Sequence, residues 1–394
     1  MISERGKERE AATVSDGMKA LRLLCTKVHG FNGPKRHEPQ RGRRSMLTVG
    51  VDLGKRKSQF AVVDEQGKVL VERKLPNQRT VIEAFLHSLP KPIQVGCETC
   101  LNSYWLVDIL EELNIPIHVG HALKLKLIAQ SRVKTDKVDA RVIAQLLRVG
   151  FFPDIAIPPR SIRQVRELLR GRVALTRSAT QAKNRLHGLL TRAGIDYERA
   201  EAFGAGAEAW LDTLPISPEE RFMAQTYLGV VRTMQKAADD VKQKLTSCVM
   251  LQEPWASTVR RLMTIPGVGL LSALLFVLEL WDISRFPTRK HLASYVGIVP
   301  SVSQSGQRNA RGGPLTRQGN RYIRWILVQD AWVATRSCKR YRGMHEHYLK
   351  RQGNPRAIIP IARQILFDVY EMWRNGITYE ELLTKKEKKE TLAA

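Results

Sequence analysis

Residues 47–53 read Leu47-Thr-Val-Gly-Val-Asp-Leu53, an apolar run with a single acid near its end. Gly54-Lys55 follows, then a second strand-like run, Gln59-Phe-Ala-Val-Val63. Turn residues at Asp64-Glu-Gln-Gly67 lead into a third, Val69-Leu-Val71, so the spacing predicts a β-meander. An ionised Asp52 in a buried strand is costly unless something compensates it. Further on, Pro92-Ile-Gln-Val-Gly-Cys97 reads as another strand and again ends in a carboxylate, Glu98. Ligands of α/β sheets gather at the carboxyl ends of strands, so two strand-end acids mark a candidate site.

A second acidic pair stands in Lys134-Thr-Asp-Lys-Val-Asp-Ala140. Thr135 is a good N-cap, and Val138, Val142, Ile143, Leu146 and Leu147 recur at helical spacing, which predicts an amphipathic helix over 136–148. Asp136 and Asp139 then share one face near its N-terminus. The helix dipole offsets only part of their repulsion, and a hard cation, Mg²⁺ or Mn²⁺, would offset the rest. Taken alone, the pair fits a solvated helix face equally well. Taken with Asp52 and Glu98, it makes the acidic set that a two-metal phosphoryl-transfer site needs, with cations about 4 Å apart.

The order Val-Gly-Val-Asp52-Leu-Gly-Lys, Cys97-Glu98-Thr, Lys-Thr-Asp136-Lys-Val-Asp139-Ala resembles the DEDD transposases of bacterial insertion sequences, the insertion-sequence 110 family. The resemblance continues through Ile265-Pro-Gly-Val-Gly269, Tyr295-Val-Gly-Ile-Val-Pro300, Ser305-Gly306 and Gly319-Asn-Arg-Tyr-Ile-Arg324, and spans roughly residues 47–378. It implies an α/β plus α architecture: an RNase H-like (RuvC-like) DEDD catalytic domain over 46–158 and a helical coiled-coil connector over 159–255. A mainly helical C-terminal transposase domain over 256–378 would follow. It also implies two Mg²⁺ ions held by Asp52, Glu98, Asp136 and Asp139, and a catalytic serine that falls on Ser305, with Ser301 and Ser303 as register alternatives. The nearest acids, Asp282 and Asp330, are distant in sequence, so activation of the serine is expected from the DEDD site across a domain or subunit contact. The partners implied are double-stranded donor and target DNA, a structured guide (bridge) RNA, and further copies of the chain in a homodimer or homotetramer.

Charge supports a polyanionic substrate independently. The chain carries 64 Lys+Arg against 38 Asp+Glu, a net +26. From Ile283 to Gln329 there are eight basic residues (Arg285, Arg289, Lys290, Arg308, Arg311, Arg317, Arg321, Arg324) and no acid, a self-repelling stretch unless it faces phosphates. Over 160–192 Glu167 is the only acid, and Arg163, Arg170 and Arg177 recur at heptad spacing with Arg166 on the same face. This predicts a long helix with a basic ridge and an apolar seam of Leu175, Ala179, Ala182, Leu186, Leu189 and Ala193. Its expected partner is 218–250, opened by a capping box at Ser217-Pro-Glu-Glu220, with a seam of Met223, Tyr227, Val230, Met234, Ala237, Val241 and Leu245. Gly267 and Gly269 fit the turn of a helix-hairpin-helix whose N–H groups hold a phosphate. Tyr322, Trp325, Trp332 and Tyr341 are candidates for base stacking or core packing.

The remaining composition sets limits. A chain of 394 residues with 43% apolar content can build two or three cores. No apolar run approaches 18 residues, so no membrane span is expected. Five scattered cysteines suit a reducing cytosol, hence a cytoplasmic protein, and Cys97/Cys100 lack a second pair at zinc spacing. Residues 1–45 hold eleven Lys+Arg and five Asp+Glu and read as a flexible basic extension, with Met46 matching the family's usual start. Residues 379–394 read as a charged tail. Three rivals stand beside the recombinase reading. One is a Holliday-junction-resolvase-like endonuclease that uses water as nucleophile. Another is an actin-like ATP-binding kinase, which the charge and the lack of a second phosphate loop disfavour. The third is a non-catalytic nucleic-acid binder.

Overall fold

The computed structural model describes residues 46–128, 136–303, 311–316, 318–353 and 356–393. Its contacts divide the chain into two units, 1–155 and 156–394.

The first unit is built on the predicted meander: β1 (Leu47–Asp52), β2 (Lys57–Val63) and β3 (Val69–Pro76), successively antiparallel. Gly67, at φ 87°, turns the chain between β2 and β3. Helix α1 (Arg79–His87) leads to β4 (Ile93–Glu98), which joins the other side of β1 in parallel. Helix α2 (Ser103–Glu112) then leads to β5 (Ile117–Gly120), parallel to β4, giving the order β3-β2-β1-β4-β5. Central β1 is buried from Leu47 to Val51, which explains why it reads as a continuous apolar run rather than an alternating one. Helix α3 (Ala122–Ile128) follows β5.

Helix α4 (Asp136–Arg148) lies across the sheet as the predicted helix. It buries Ala140, Ile143, Ala144 and Leu147. Two glycines seat it. Gly50 and Gly96 are register partners on β1 and β4. A Cβ on Gly50 would lie 2.0 Å from the Ala140 carbonyl and 2.5 Å from the Ala144 nitrogen, and one on Gly96 would lie 3.0 Å from Leu147 Cδ2. The helix therefore rests almost on backbone. Its C-terminal end is tied to the β2–β3 turn, where Gln145 Nε2 donates to Gly67 O at 2.6 Å and Arg148 Nη1 to Glu65 O at 2.9 Å. That turn follows Val63, the partner of Thr48 at the amino end of β1. The N-terminus of α4 accordingly lies toward the carboxyl end of β1.

The second unit opens with α5 (Arg160–Arg192) and, after the short α6 (Arg199–Phe203) and α7 (Ala207–Thr213), α8 (Pro218–Met250). The two 33-residue helices, each about 50 Å long, pack along each other. Leu186 and Leu190 cluster with Ala224 and Leu228, and Ile162 and Leu169 with Leu245 and Val249, so the pair is antiparallel. The capping box forms as expected, Glu220 N donating to Ser217 Oγ and Ser217 N to Glu220 Oε2. The α8 seam does not follow the expected set. Ala224, Leu228, Val231, Ala238, Leu245 and Val249 are buried, whereas Met223 and Val230 are exposed. Between 223 and 238 the buried stripe thus lies one residue on from the expected one.

Beyond α9 (Trp255–Leu262) comes α10 (Leu270–Leu280), buried from Ser272 to Leu280 as the centre of a helical core. A 3₁₀ turn and α11 (Arg289–Val296) precede the hairpin β6 (Pro300–Ser303) and β7 (Arg311–Leu315). Helices α12 (Arg321–Ser337), α13 (Lys339–Gln352), α14 (Ile358–Asn375) and α15 (Tyr379–Ala393) complete the unit. No helix among the described residues is long and apolar enough to cross a membrane.

Candidate catalytic carboxylates and nucleic-acid interface

Asp52 and Glu98 are the last residues of β1 and β4. The parallel register pairs Val51 with Cys97, so the two half-buried acids end neighbouring strands spaced about 4.8 Å apart. Asp139, half-buried, precedes Ala140, whose carbonyl faces Gly50, two residues before Asp52. Asp136 opens the same helix one turn earlier, and its side chain lies outside the described residues. Chain topology thus brings all four expected positions to the carboxyl edge of the sheet. Among the described residues, no three His, Cys, Asp or Glu side chains are gathered closely enough to hold one metal ion as they stand.

The loop after Asp52 is fixed by residues that the sequence did not single out. Asn77 Nδ2 and Asn102 Nδ2 both donate to Gly54 O, at 2.8 and 3.0 Å. Asn77 also accepts from Ser58 Oγ at 2.6 Å. A Cβ on Gly54 would lie 2.3 Å from Lys57 O, so the turn is closed tightly. Neither asparagine lies in a recognisable motif.

The two cysteines report on the same edge. Burial pushes the Cys97 thiol far above its usual range. Cys100 is also raised, first by burial and further by the negative charges of Glu98 and Asp52, against hydrogen bonds at Asn102 and Ser103 that lower it. Cys100 therefore feels both strand-end carboxylates.

In the second unit Ser305, Arg308 and Arg317 lie outside the described residues, as do the side chains of Ser303 and Arg311. Ser301 stands on β6 facing Gly313, where a Cβ would come 2.4 Å from its Oγ. The expected phosphate-binding turn divides into two roles. Gly267, at φ 90°, would drive a Cβ to 2.5 Å from Asp330 O and 2.8 Å from Ala334 N, so it packs closely against α12. Gly269 is the N-cap of α10 with open space around it.

The basic ridge is likewise not one surface. Arg166 is 7% exposed and donates through Nε and Nη2 to Leu278 O, at 3.1 and 2.7 Å. Arg170 forks onto the two oxygens of Glu279 at 2.8 and 2.9 Å. Burial opposes charge on Glu279, yet Arg170, Arg166 and the amide of Asn320 outweigh it and hold the carboxyl below its usual range. The helical core has one buried acid on α10 near its end, and these two arginines answer it. Arg163 donates to Pro158 O and Arg324 to Val296 O. Arg177 and Arg321 remain exposed. Of the aromatics, Tyr341 is wholly buried and Trp332 packs on His345, whereas Trp325 is 37% exposed and Tyr322 half-buried.

Two family patterns match this chain: a DEDD transposase pattern of the IS110 type over residues 49–195, and that of the transposase IS116/IS110/IS902 family over residues 259–349. The chain belongs to the IS110 family of transposases. It is 26% identical to the transposase for insertion sequence element IS1111A of Coxiella burnetii, over 82% of this chain and 89% of that one. It is 24% identical to a probable family 20 transposase of Pseudomonas aeruginosa, over 81% and 93%. Similarity to the transposase for insertion sequence element IS1328 of Yersinia enterocolitica is 24%, over 73% and 84%. The first pattern takes in Asp52, Glu98, Asp136 and Asp139 of this transposase, and the second takes in the hairpin and α12.

Proposed function

We propose that this transposase cuts and rejoins the DNA of an insertion sequence with a DEDD metal site and a serine nucleophile. The observation that carries the reading is the convergence of the β1 and β4 carboxyl ends with the N-terminus of α4. The strand order β3-β2-β1-β4-β5, two strands of it parallel to β1's direction on one side, supports an RNase H-like reading of the first unit. The antiparallel α5–α8 pair supports reading the connector as a coiled coil.

An all-carboxylate donor set fits hard cations, and Mg²⁺ fits it best, with Mn²⁺ as a substitute. Asp52, Glu98, Asp136 and Asp139 would hold two such ions, which supply charge stabilisation to a phosphoryl group under attack. Asn77 and Asn102 keep the Gly54 turn, and so the end of β1, in place. Gly50 and Gly96 let α4 bring Asp139 and Asp136 down to the same edge. Ser305 Oγ, deprotonated as it attacks, forms one P–O bond to the DNA while the bridging P–O bond breaks and its oxygen leaves as a hydroxyl. The serine ester keeps the bond's free energy for rejoining. Donor and target duplexes would be chosen by a structured guide RNA, and paired strand exchange implies a homodimer or homotetramer in the cytosol.

The test is incubation of the full chain with its flanking RNA, Mg²⁺ and labelled duplexes, followed by a denaturing gel. A covalent protein-DNA band lost in Ser305→Ala and in Asp52→Asn is expected. Cleavage without any adduct would replace this reading with the water-using, resolvase-like one.

A further inference from the structure

Three guanidinium groups converge on one ring. Arg170, Arg177 and Arg321 lie 5.2, 5.8 and 5.1 Å from the centroid of Tyr322, and Arg177 lies 5.8 Å from that of Trp325 as well. Glu279 neutralises Arg170. Among the described residues neither Arg177 nor Arg321 has a carboxylate partner; beyond the rings, Arg321 reaches only the Tyr322 hydroxyl, at 3.3 Å. Two uncompensated cations on one ring sit within roughly a Debye length of each other and repel. The aromatic faces offset part of this, since a cation over a ring gains about 0.5–1 kcal/mol at an exposed site. The rest calls for an anion. The exposed indole of Trp325 lies beside them, and an apolar plane flanked by two donor forks is matched by a base and its adjoining phosphates.

We infer that Arg177, Arg321, Tyr322 and Trp325 form a docking surface for single-stranded DNA, with a base stacked at Trp325 and phosphates met by the two arginines. A duplex, whose bases are already stacked, offers the arginines phosphates but gives Trp325 nothing to stack on. The inference rests on the proposed DNA substrate and assigns the surface to the unpaired strand that cutting exposes.

Fluorescence anisotropy of the full-length protein with labelled oligo(dT), the matching duplex and oligo(U) tests it. Trp325→Ala should weaken oligo(dT) binding about 5- to 150-fold, the range a single lost base stack gives, with Trp325→Phe restoring most of it. Duplex binding should stay within about twofold of wild type. Arg177→Ala should lower the slope of log affinity against log salt by about one on oligo(dT). Thermal melting of each variant shows whether it is folded. Unchanged oligo(dT) affinity in folded Trp325→Ala overturns the inference, as does an equal loss on duplex, while adduct formation in the gel assay keeps the proposed chemistry standing. Preference for oligo(U) over oligo(dT) reassigns the surface to RNA and overturns it too. A wild-type protein that binds none of the three removes the DNA substrate and the inference together.

Discussion

Replacing Gly50 by alanine tests the seat of α4 directly. The added Cβ would meet Ala140 O at 2.0 Å, Ala144 N at 2.5 Å and Ala144 Cβ at 2.9 Å. Two of these are backbone atoms of α4, so no rotamer change relieves the clash. To restore an ordinary contact of about 3.5 Å, the helix must retreat by more than 1 Å from β1. Overpacking of this kind costs about 1–3 kcal/mol. Asp139 and Asp136 ride on the displaced turn, and a misplacement near 1 Å can lower a positioned reaction about 100-fold. Gly96→Ala is the matched control, because its Cβ meets side-chain atoms and no backbone: Leu147 Cδ2 at 3.0 Å, Ile143 Cγ2 at 3.3 Å and Phe152 Cζ at 3.6 Å. The expected result is a loss of about 1–3 kcal/mol in chemical denaturation and a fall in cleavage of about 100-fold for Gly50→Ala, with much smaller effects for Gly96→Ala. Equal stability and equal cleavage in Gly50→Ala and wild type would refute the argument that backbone contact with α4 places the acids.

Two further outcomes follow from the helical unit. Burial pushes the Asp330 carboxyl up to about 7, against a hydrogen bond from Ser272 at 2.6 Å that lowers it, while its Oδ2 is buried without a partner. Because the folded-state value lies above the unfolded 3.8, the folded protein retains a proton through this window, and the stability linked to Asp330 is full at acid pH and lost as pH rises through about 7. Asp330→Asn, which mimics the protonated form, should match wild type near pH 4 and exceed it by up to about 4 kcal/mol above pH 8; parallel stability curves would contradict this. Arg170→Ala strips the forked partner from Glu279, which is 1% exposed, and should cost about 3–5 kcal/mol, whereas removing both charges in Arg170→Met/Glu279→Leu should cost far less. A double variant as unstable as the single one would show that packing, not the stranded charge, sets the loss.

The sheet was legible because its signals are local. An uninterrupted apolar β1, turn residues before Val69 and an acid closing each of two strands state the meander and the site edge without tertiary information. What was not legible depends on which atoms approach across space. Gly50 and Gly96 read as ordinary strand residues until their register and the path of α4 are known. Asn77 and Asn102 lie 25 residues apart and meet only through Gly54 O. Arg166 and Arg170 were counted with the basic ridge because their spacing cannot tell a phosphate from a buried glutamate 109 or more residues away. The α8 seam failed for a related reason. Residue type does not separate the expected Met223 and Val230 from the buried Ala224 and Val231 beside them, and the facing helix decides which are covered.

The two units meet the problem of a buried or crowded charge in opposite ways. Among the described residues of the helical unit every deeply buried acid but one is answered within the fold: Glu279 by Arg170 and Asn320, and Asp368 by Arg340, Tyr341, Gln364 and Lys386. Their partners are built in, so they stabilise packing and are spent as ligands. At the sheet edge, backbone does the placing. Glycines admit α4, and two amides fix one carbonyl, while Asp52, Glu98 and Asp139 stay half-buried. Backbone constraint places half-buried acids at the ends of two neighbouring strands, whereas the carboxylates of the helical core are fully buried, and this difference in placement, more than the number of acids, separates the sheet edge from the helical core.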